Sequence, residues 1–235
     1  MKISHVEQGS PAWHDLRLGI PTASEFHLIM TPKKRKLSDS APKYLNHLLA
    51  EWMTGAELES FEGGWMERGK ALEPKAVQAY EFLQAVDAST VGFITTDDGM
   101  IGASPDRLIG DVGLYEGKAP AAPTHVGHMV NRALDEKHIT QVQGQLWVSE
   151  REWCDIHSFY PGLPSVIIRA YRDEEFIKDL SACVRSFVDV MLATRAKLVQ
   201  EYGELRRERV TAQQRTAASH AAFEEFMASG IGGAV

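Results

Sequence analysis

SPDRLIGDVGLYEGK, residues 104–118, is the stretch on which the reading of the fold turns. Gly110 and Gly113 enclose Asp111 and Val112 between two short apolar-rich runs, the composition of a β-hairpin turn. A turn centred on Asp111 sets Asp106 directly across from Glu116, with Cβ atoms roughly 4.5–5.5 Å apart. Period-2 alternation then puts Lys118 on the face of Glu116. Two facing carboxylates repel unless something cationic sits between them. Hard oxygen ligands that leave room for water suit Mg²⁺ or Mn²⁺ better than zinc. Gly117 leaves its backbone carbonyl accessible as a further oxygen ligand. A lysine beside such an ion can orient or help deprotonate water and offset charge developing on a phosphate. Taken alone, the spacing also fits an exposed hairpin with a Lys–Glu surface pair, which is the commoner arrangement.

Upstream, residues 65–84 read as a helix, with Leu72, Ala76, Tyr80 and Leu83 on one stripe and Glu73 in line with Val77 and Tyr80. Pro74 belongs in a first turn or at a kink, so Glu73 is expected near a helix start, where the dipole alone favours a carboxylate. Strands are expected at 91–95 and 99–103 around Asp97-Asp98-Gly99. Nearer the N-terminus, Thr22 or Ser24 caps a helix carrying Phe26, Leu28 and Ile29. Residues 31–43 read as an exposed loop with basic residues from Lys33 to Lys36. Tyr44, Leu45, Leu48, Leu49, Trp52 and Met53 mark an amphipathic helix stopped at Gly55.

Downstream, 121–150 read as loop then helix, with Ile139, Val142 and Leu146 on one face. Strands follow near 153–159 and 165–171, then a long helix over about 174–200 through Phe176, Leu180, Val184, Phe187 and Met191. The order predicts an α+β domain over 1–202, with a central mixed β-sheet flanked by helices. A polar, alanine-rich tail over 203–235 has a composition compatible with a helix.

Composition narrows the function. The 235 residues are 44% hydrophobic and 24% charged, ordinary for a globular chain. A net charge of −7 argues against non-specific coating of nucleic acid, though not against an enzyme with a local basic path. Cys154 and Cys183 form no CxxC, and His125 and His128, the closest histidine pair, lack a third zinc ligand at suitable spacing. Arg68-Gly69-Lys70 is the nearest approach to a phosphate-binding loop and lacks its upstream glycine and hydroxyl, which argues against an ATP motor. No apolar run approaches the ~20 residues of a membrane helix, and no signal segment follows Met1, so a cytoplasmic location is expected.

Further matches accompany the hairpin: Gln8-Gly9 with Ala12-Trp13-His14, Leu16-Arg17-Leu18-Gly19, Thr22-Ala23-Ser24-Glu25, Gly69-Lys70 ahead of Glu73, and Gln141-Val142-Gln143 ahead of Trp147. With Ser104-Pro105-Asp106, Glu116, Lys118 and Pro120, their order resembles the lambda exonuclease, or YqaJ-type viral recombinase, family within the PD-(D/E)xK nucleases. The resemblance spans about residues 6–200 and implies the PD-(D/E)xK nuclease core. By it, Asp106, Glu116 and the Gly117 carbonyl would hold catalytic Mg²⁺, with Glu73 helping at a second ion; two ions are expected, and Mn²⁺ is an alternative. Lys118 would act on the attacking water and Gln141 would position it. Arg17, Ser24 and Ser104 match residues that bind a terminal 5′ phosphate, and Met66 falls at an apolar wedge that separates the end base pair. Gly117 departs from the family, which usually carries a hydrophobic residue there.

The resemblance implies Mg²⁺-dependent, ATP-independent 5′→3′ degradation of double-stranded DNA from free ends. It also implies a homotrimeric ring, with Lys33 to Lys36 along a DNA path, and a single-strand annealing protein as partner in phage-type recombination. The alternatives are a PD-(D/E)xK endonuclease or single-strand nuclease, and a catalytically silent DNA-binding subunit.

Overall fold

The computed structural model describes residues 1–58, 63–133 and 137–203, without the side chains of 63–68, 70 and 137. In chain order, β1 (Lys2–Ser4) precedes α1 (Pro11–Arg17), a 3₁₀ helix (Ala23–Leu28), the hairpin β2–β3 (Met30–Thr31 and Lys36–Leu37) and α2 (Ala41–Thr54). Next come α3 (Gly63–Gln84), β4 (Ala88–Thr90), β5 (Phe93–Thr95), β6 (Gly102–Ala103), β7 (Arg107–Ile109) and β8 (Gly113–Lys118). The chain continues through α4 (Ala122–Asn131), α5 (Lys137–Ser149), β9 (Trp153–Ser158), β10 (Val166–Tyr171) and α6 (Glu174–Tyr202).

Five strands form the central sheet in the order β10-β9-β8-β7-β4. β8 and β9 run parallel, joined by a crossover through α4 and α5, and the other pairs are antiparallel, so the sheet is mixed as expected. Alternation divides its side chains between two helical layers. Leu114, Cys154 and Ile156 pack with Val142 and Leu146 of α5. Ile109 and Tyr115, on the other face, pack with Val77 and Tyr80 of α3. A larger apolar cluster joins the 3₁₀ helix, α2 and α6 through Phe26, Ile29, Leu48, Leu180, Val184 and Met191. Gly144 of α5 makes one close approach possible: a Cβ there would lie 2.5 Å from the Phe26 ring.

The helix over 44–55 and the long C-terminal helix form where predicted. Gly55 ends α2 in the left-handed region at φ 64°, and the Asp173 side chain caps α6 by accepting from the Phe176 N–H. Several expectations need correction. Pro74 lies inside the continuous helix α3, so Glu73 sits at mid-helix rather than near a helix start. Packing of Val77 and Tyr80 on the sheet holds the helix through the proline, and Leu83 is exposed instead of closing the stripe. Ala23–Leu28 takes 3₁₀ rather than α form, and part of the supposed loop after 121 is the helix α4. Ile139 is exposed while Val142 and Leu146 are buried.

The basic stretch is not a free loop. It turns between β2 and β3, and Arg35 approaches Asp179 and Glu175 of α6 at 3.6 and 3.9 Å. The tail at 204–235 lies outside the described residues. Among the described residues, no helix is long and apolar enough to cross a membrane.

Candidate active site

The register of β7 on β8 is the one the turn at Asp111 requires: Ile109 pairs with Gly113, Leu108 with Leu114 and Arg107 with Tyr115. The ladder stops there, so Asp106 and Glu116 are not a strand pair. Pro105 has no N–H to continue it, and the chain bends at Asp106. The Gly117 N–H donates to Asp106 Oδ2 at 2.7 Å in place of the next rung. An extended residue directs its N–H and C=O to the same side, so the Gly117 carbonyl faces this opening too.

Glu116 is nearly buried and turns toward α5. Its Oε1 accepts from Lys118 Nζ at 2.7 Å and from Gln141 Nε2 at 2.7 Å, while Oε2 accepts from Gln145 Nε2 at 2.7 Å. Lys118 also donates to Gln141 Oε1 at 3.1 Å, so glutamate, lysine and glutamine close a ring of hydrogen bonds. Burial disfavours the Lys118 ammonium, but the contact with Glu116 outweighs it and the pKa is raised, keeping the lysine charged. Burial and then the charge of Glu116 push the Asp106 carboxyl well above its ordinary range, against the opposing Gly117 N–H and Lys118.

These residues fit a hard divalent cation. An ionised carboxylate offers about four lone-pair sites, of which Glu116 uses three, and Asp106 Oδ1 takes no hydrogen bond among the described residues. With the Gly117 carbonyl the available donors are all oxygen, and a cation would relieve the strain on Asp106. Glu73 stands apart. It reaches from α3, and Arg107 Nη1 holds its Oε1 at 2.8 Å. Among the described residues, no three His, Cys, Asp or Glu side chains converge as a metal-holding group.

The strand is intact at Gly117, where the β8–β9 ladder runs through Gly117–His157 to Lys118–Ser158. A Cβ at 117 would meet Tyr115 Oη at 3.0 Å and Asp106 Oδ2 at 3.4 Å. Tyr115 is fully buried, and its hydroxyl shares a hydrogen bond with His157 Nδ1 at 3.1 Å.

A second cluster lies upstream on the same segment. Arg17 Nη1 donates to Ser104 Oγ at 3.1 Å and Nη2 to Thr22 Oγ1 at 3.4 Å, and Thr22 Oγ1 lies 3.2 Å from Ser24 Oγ. The three residues expected at a phosphate are thus brought together. Trp13 braces them, its indole N–H reaching Ser104 Oγ and the Gly92 carbonyl while Arg17 stacks on its ring at 4.3 Å. Burial lowers the Arg17 pKa, the mark of a cation drawn out of water. Gln8 Nε2 donates to the Val91 and Pro105 carbonyls, tying the backbone beside Asp106 to the N-terminal segment. The side chain of Met66 lies outside the described residues.

Sequence reasoning did not single out Gln145 or Arg107, and it named Thr22 only as a helix cap and within a matching stretch. Gln145 was within reach, because it stands four residues after Gln141 and therefore on the same helix face. His125 and His128 are engaged with Ser158: both Nδ1 atoms lie within 2.9 Å of its Oγ, and His125 Nε2 meets the Pro164 carbonyl at 3.0 Å.

With this geometry in place, similarity to known proteins carries weight. The YqaJ-like viral recombinase domain matches residues 12–152, more than half the chain. The alkaline exonuclease LHK-Exo from Laribacter hongkongensis is 30% identical and superposes with a TM-score of 0.74, over 82% of this chain and 97% of that one. The structure of LHK-Exo in complex with dAMP matches with the same values. A phage-related exonuclease from Haemophilus somnus 129PT, 15% identical with a TM-score of 0.56 over 75% of this chain and 96% of that one, shares the fold. No curated protein matches this sequence. The chain belongs to the YqaJ-like viral recombinase domain family.

Proposed function

We propose that this protein is a Mg²⁺-dependent, ATP-independent exonuclease that digests one strand of double-stranded DNA from its 5′ end, releasing 5′ mononucleotides and leaving a 3′ overhang. The observation that carries the reading is the closeness of two clusters. Ser104, bonded to Arg17, precedes Asp106 by two residues, about 7 Å of extended chain. A group held at Arg17, Ser24 and Ser104 therefore sets a fixed short distance from a strand end to the carboxylates. Arg offers a fork of donors matched to phosphate oxygens, and the hydroxyls add further hydrogen-bonding groups.

Asp106, Glu116 and the Gly117 carbonyl would hold Mg²⁺, with Mn²⁺ as a substitute. When bound, such an ion supplies Lewis acidity toward the scissile phosphate and acidifies water. Gln141 and Gln145 fix both oxygens of Glu116 in one orientation. Lys118, kept as an ammonium, spends two donors on Glu116 and Gln141 and turns its third toward the attacking water or the phosphate. Water oxygen bonds to phosphorus, the bond to the 3′ oxygen of the terminal nucleotide breaks, and that oxygen leaves as a hydroxyl. The phosphate stays on the next nucleotide, so each cut regenerates the 5′-phosphorylated end that Arg17 grips. LHK-Exo, crystallised with dAMP, supports a nucleotide-sized product. A homotrimeric ring and a single-strand annealing protein acting on the overhang in the cytoplasm belong to the same reading.

The test is digestion of linear and covalently closed circular duplex with Mg²⁺ and no ATP. Loss of the linear form alone, stopped by chelator, is the expected result. Cutting of closed circles would make the protein an endonuclease, and no cutting with Mg²⁺ or Mn²⁺ would leave a silent DNA-binding subunit.

A further inference from the structure

We infer that Arg107 occupies the place of a second metal ion, so that the site takes up one divalent cation and not two. The inference rests on the metal site proposed above. Arg107 opens β7 with its backbone paired on both sides, to Thr90 and to Tyr115. Alternation puts its side chain on the α3 face with Ile109 and Tyr115, while Glu116 points to the α5 face. There Nη1 meets Glu73 Oε1 at 2.8 Å and also donates to the Asp106 carbonyl at 2.5 Å. The guanidinium thus lies between the carboxylate that would serve a second ion and the chain segment that carries the first.

Charge and geometry agree. Asp106, Glu116 and Glu73 are countered by Lys118 and Arg107, which leaves one net negative charge. A single divalent ion turns this into one positive charge, matched to the single negative charge of a phosphodiester. Two ions would leave three positive charges with Arg107 in place and two with it displaced. In two-ion sites the cations lie about 3.5–4 Å apart and share ligands. A second ion on Glu73 would need Arg107 to leave, and a guanidinium cannot yield by losing its proton. Glu73 and Arg107 both line a cavity of ≈ 480 Å³ at the N-terminal side, so the ion pair is reached from solvent and the place is not simply closed to cations.

The count of bound ions tests this without reference to turnover. Full-length protein stripped of metal is titrated with Mn²⁺, reading free Mn²⁺ by electron paramagnetic resonance and heat by calorimetry. One site is expected in the parent protein, and a second, weaker site in Arg107→Ala that disappears again when Glu73→Gln is added. Two comparable sites in the parent protein, or a folded Arg107→Ala that still binds one ion, would overturn the inference while leaving the Asp106–Glu116 site standing. No Mn²⁺ bound to the parent protein would overturn both. Should Arg107→Ala fail to fold, Glu73→Gln alone decides: a change in Mn²⁺ affinity within about twofold agrees, and a loss of more than tenfold contradicts.

Discussion

Gln145 Nε2 meets Oε2 of Glu116 at 2.7 Å, on the carboxylate oxygen that Lys118 and Gln141 leave to it. Both oxygens of the glutamate are therefore aimed by one helix face. Replacing Gln145 with Leu leaves Oε2 buried without its donor, at a cost of about 1–3 kcal/mol. Nuclease kcat should fall at least tenfold, with KM for DNA ends changed much less. Steady-state kinetics beside a thermal melt checks this; a destabilised variant with parental kcat would contradict it.

On the proposed reading, Arg17 would grip the 5′ phosphate through a fork that lysine does not reproduce. Arg17→Lys and Arg17→Ala should both erase the preference for a 5′-phosphorylated over a 5′-hydroxyl end, a difference of about 10–100-fold for charge-assisted hydrogen bonds. Initial rates on the two substrates measure it. A preference unchanged in both variants would remove Arg17 from the phosphate site.

Gly117 is crowded on the side of Tyr115. Gly117→Val should cost about 1–3 kcal/mol and reduce activity, because the Tyr115 hydroxyl or the Asp106 carboxylate must shift. Tyr115→Phe removes the nearer obstacle, so the double variant should recover part of both losses. Urea denaturation and activity of the four proteins complete the cycle, and strict additivity would contradict the contact.

His157 links pH to stability. Burial, followed by the influence of His125, lowers its pKa to about 4, against about 6.5 in an unfolded chain. Above pH 6.5 both states hold a neutral ring and the group contributes nothing. Between 6.5 and 4 the unfolded chain takes up a proton that the folded one refuses, so stability falls as pH falls, by at most about 3 kcal/mol. Urea midpoints at pH 7.5, 5.5 and 4.5 should drop more steeply for the parent protein than for His157→Gln. Parallel slopes would contradict the assignment.

Local chemistry made the centre of this molecule legible in the sequence, and long-range packing hid its surroundings. Gly110, at φ 51°, and Gly113 leave one place for the turn, and that place sets the β7–β8 register. Pro105 then ends the ladder one residue earlier than alternation alone suggests. Pro74 misplaced Glu73 because a rule about isolated helices gave way to Val77 and Tyr80 packing on the sheet. The Glu73–Arg107 pair joins a helix to a strand across a packed interface, and no spacing in the chain announces such a contact. Arg35 likewise finds its acidic partners only once α6 lies beside the β2–β3 hairpin.

The central claim is that a strand end held at Arg17, Ser24 and Ser104 is delivered to Asp106, Glu116 and Lys118. The most direct measurement uses linear duplex with a 5′ phosphate on one strand and a 5′ hydroxyl on the other, each labelled at its 3′ end, incubated with Mg²⁺. Selective shortening of the phosphorylated strand, abolished by chelator and by Lys118→Ala, is the predicted result. Equal loss of both strands, or full activity in Lys118→Ala, would contradict it.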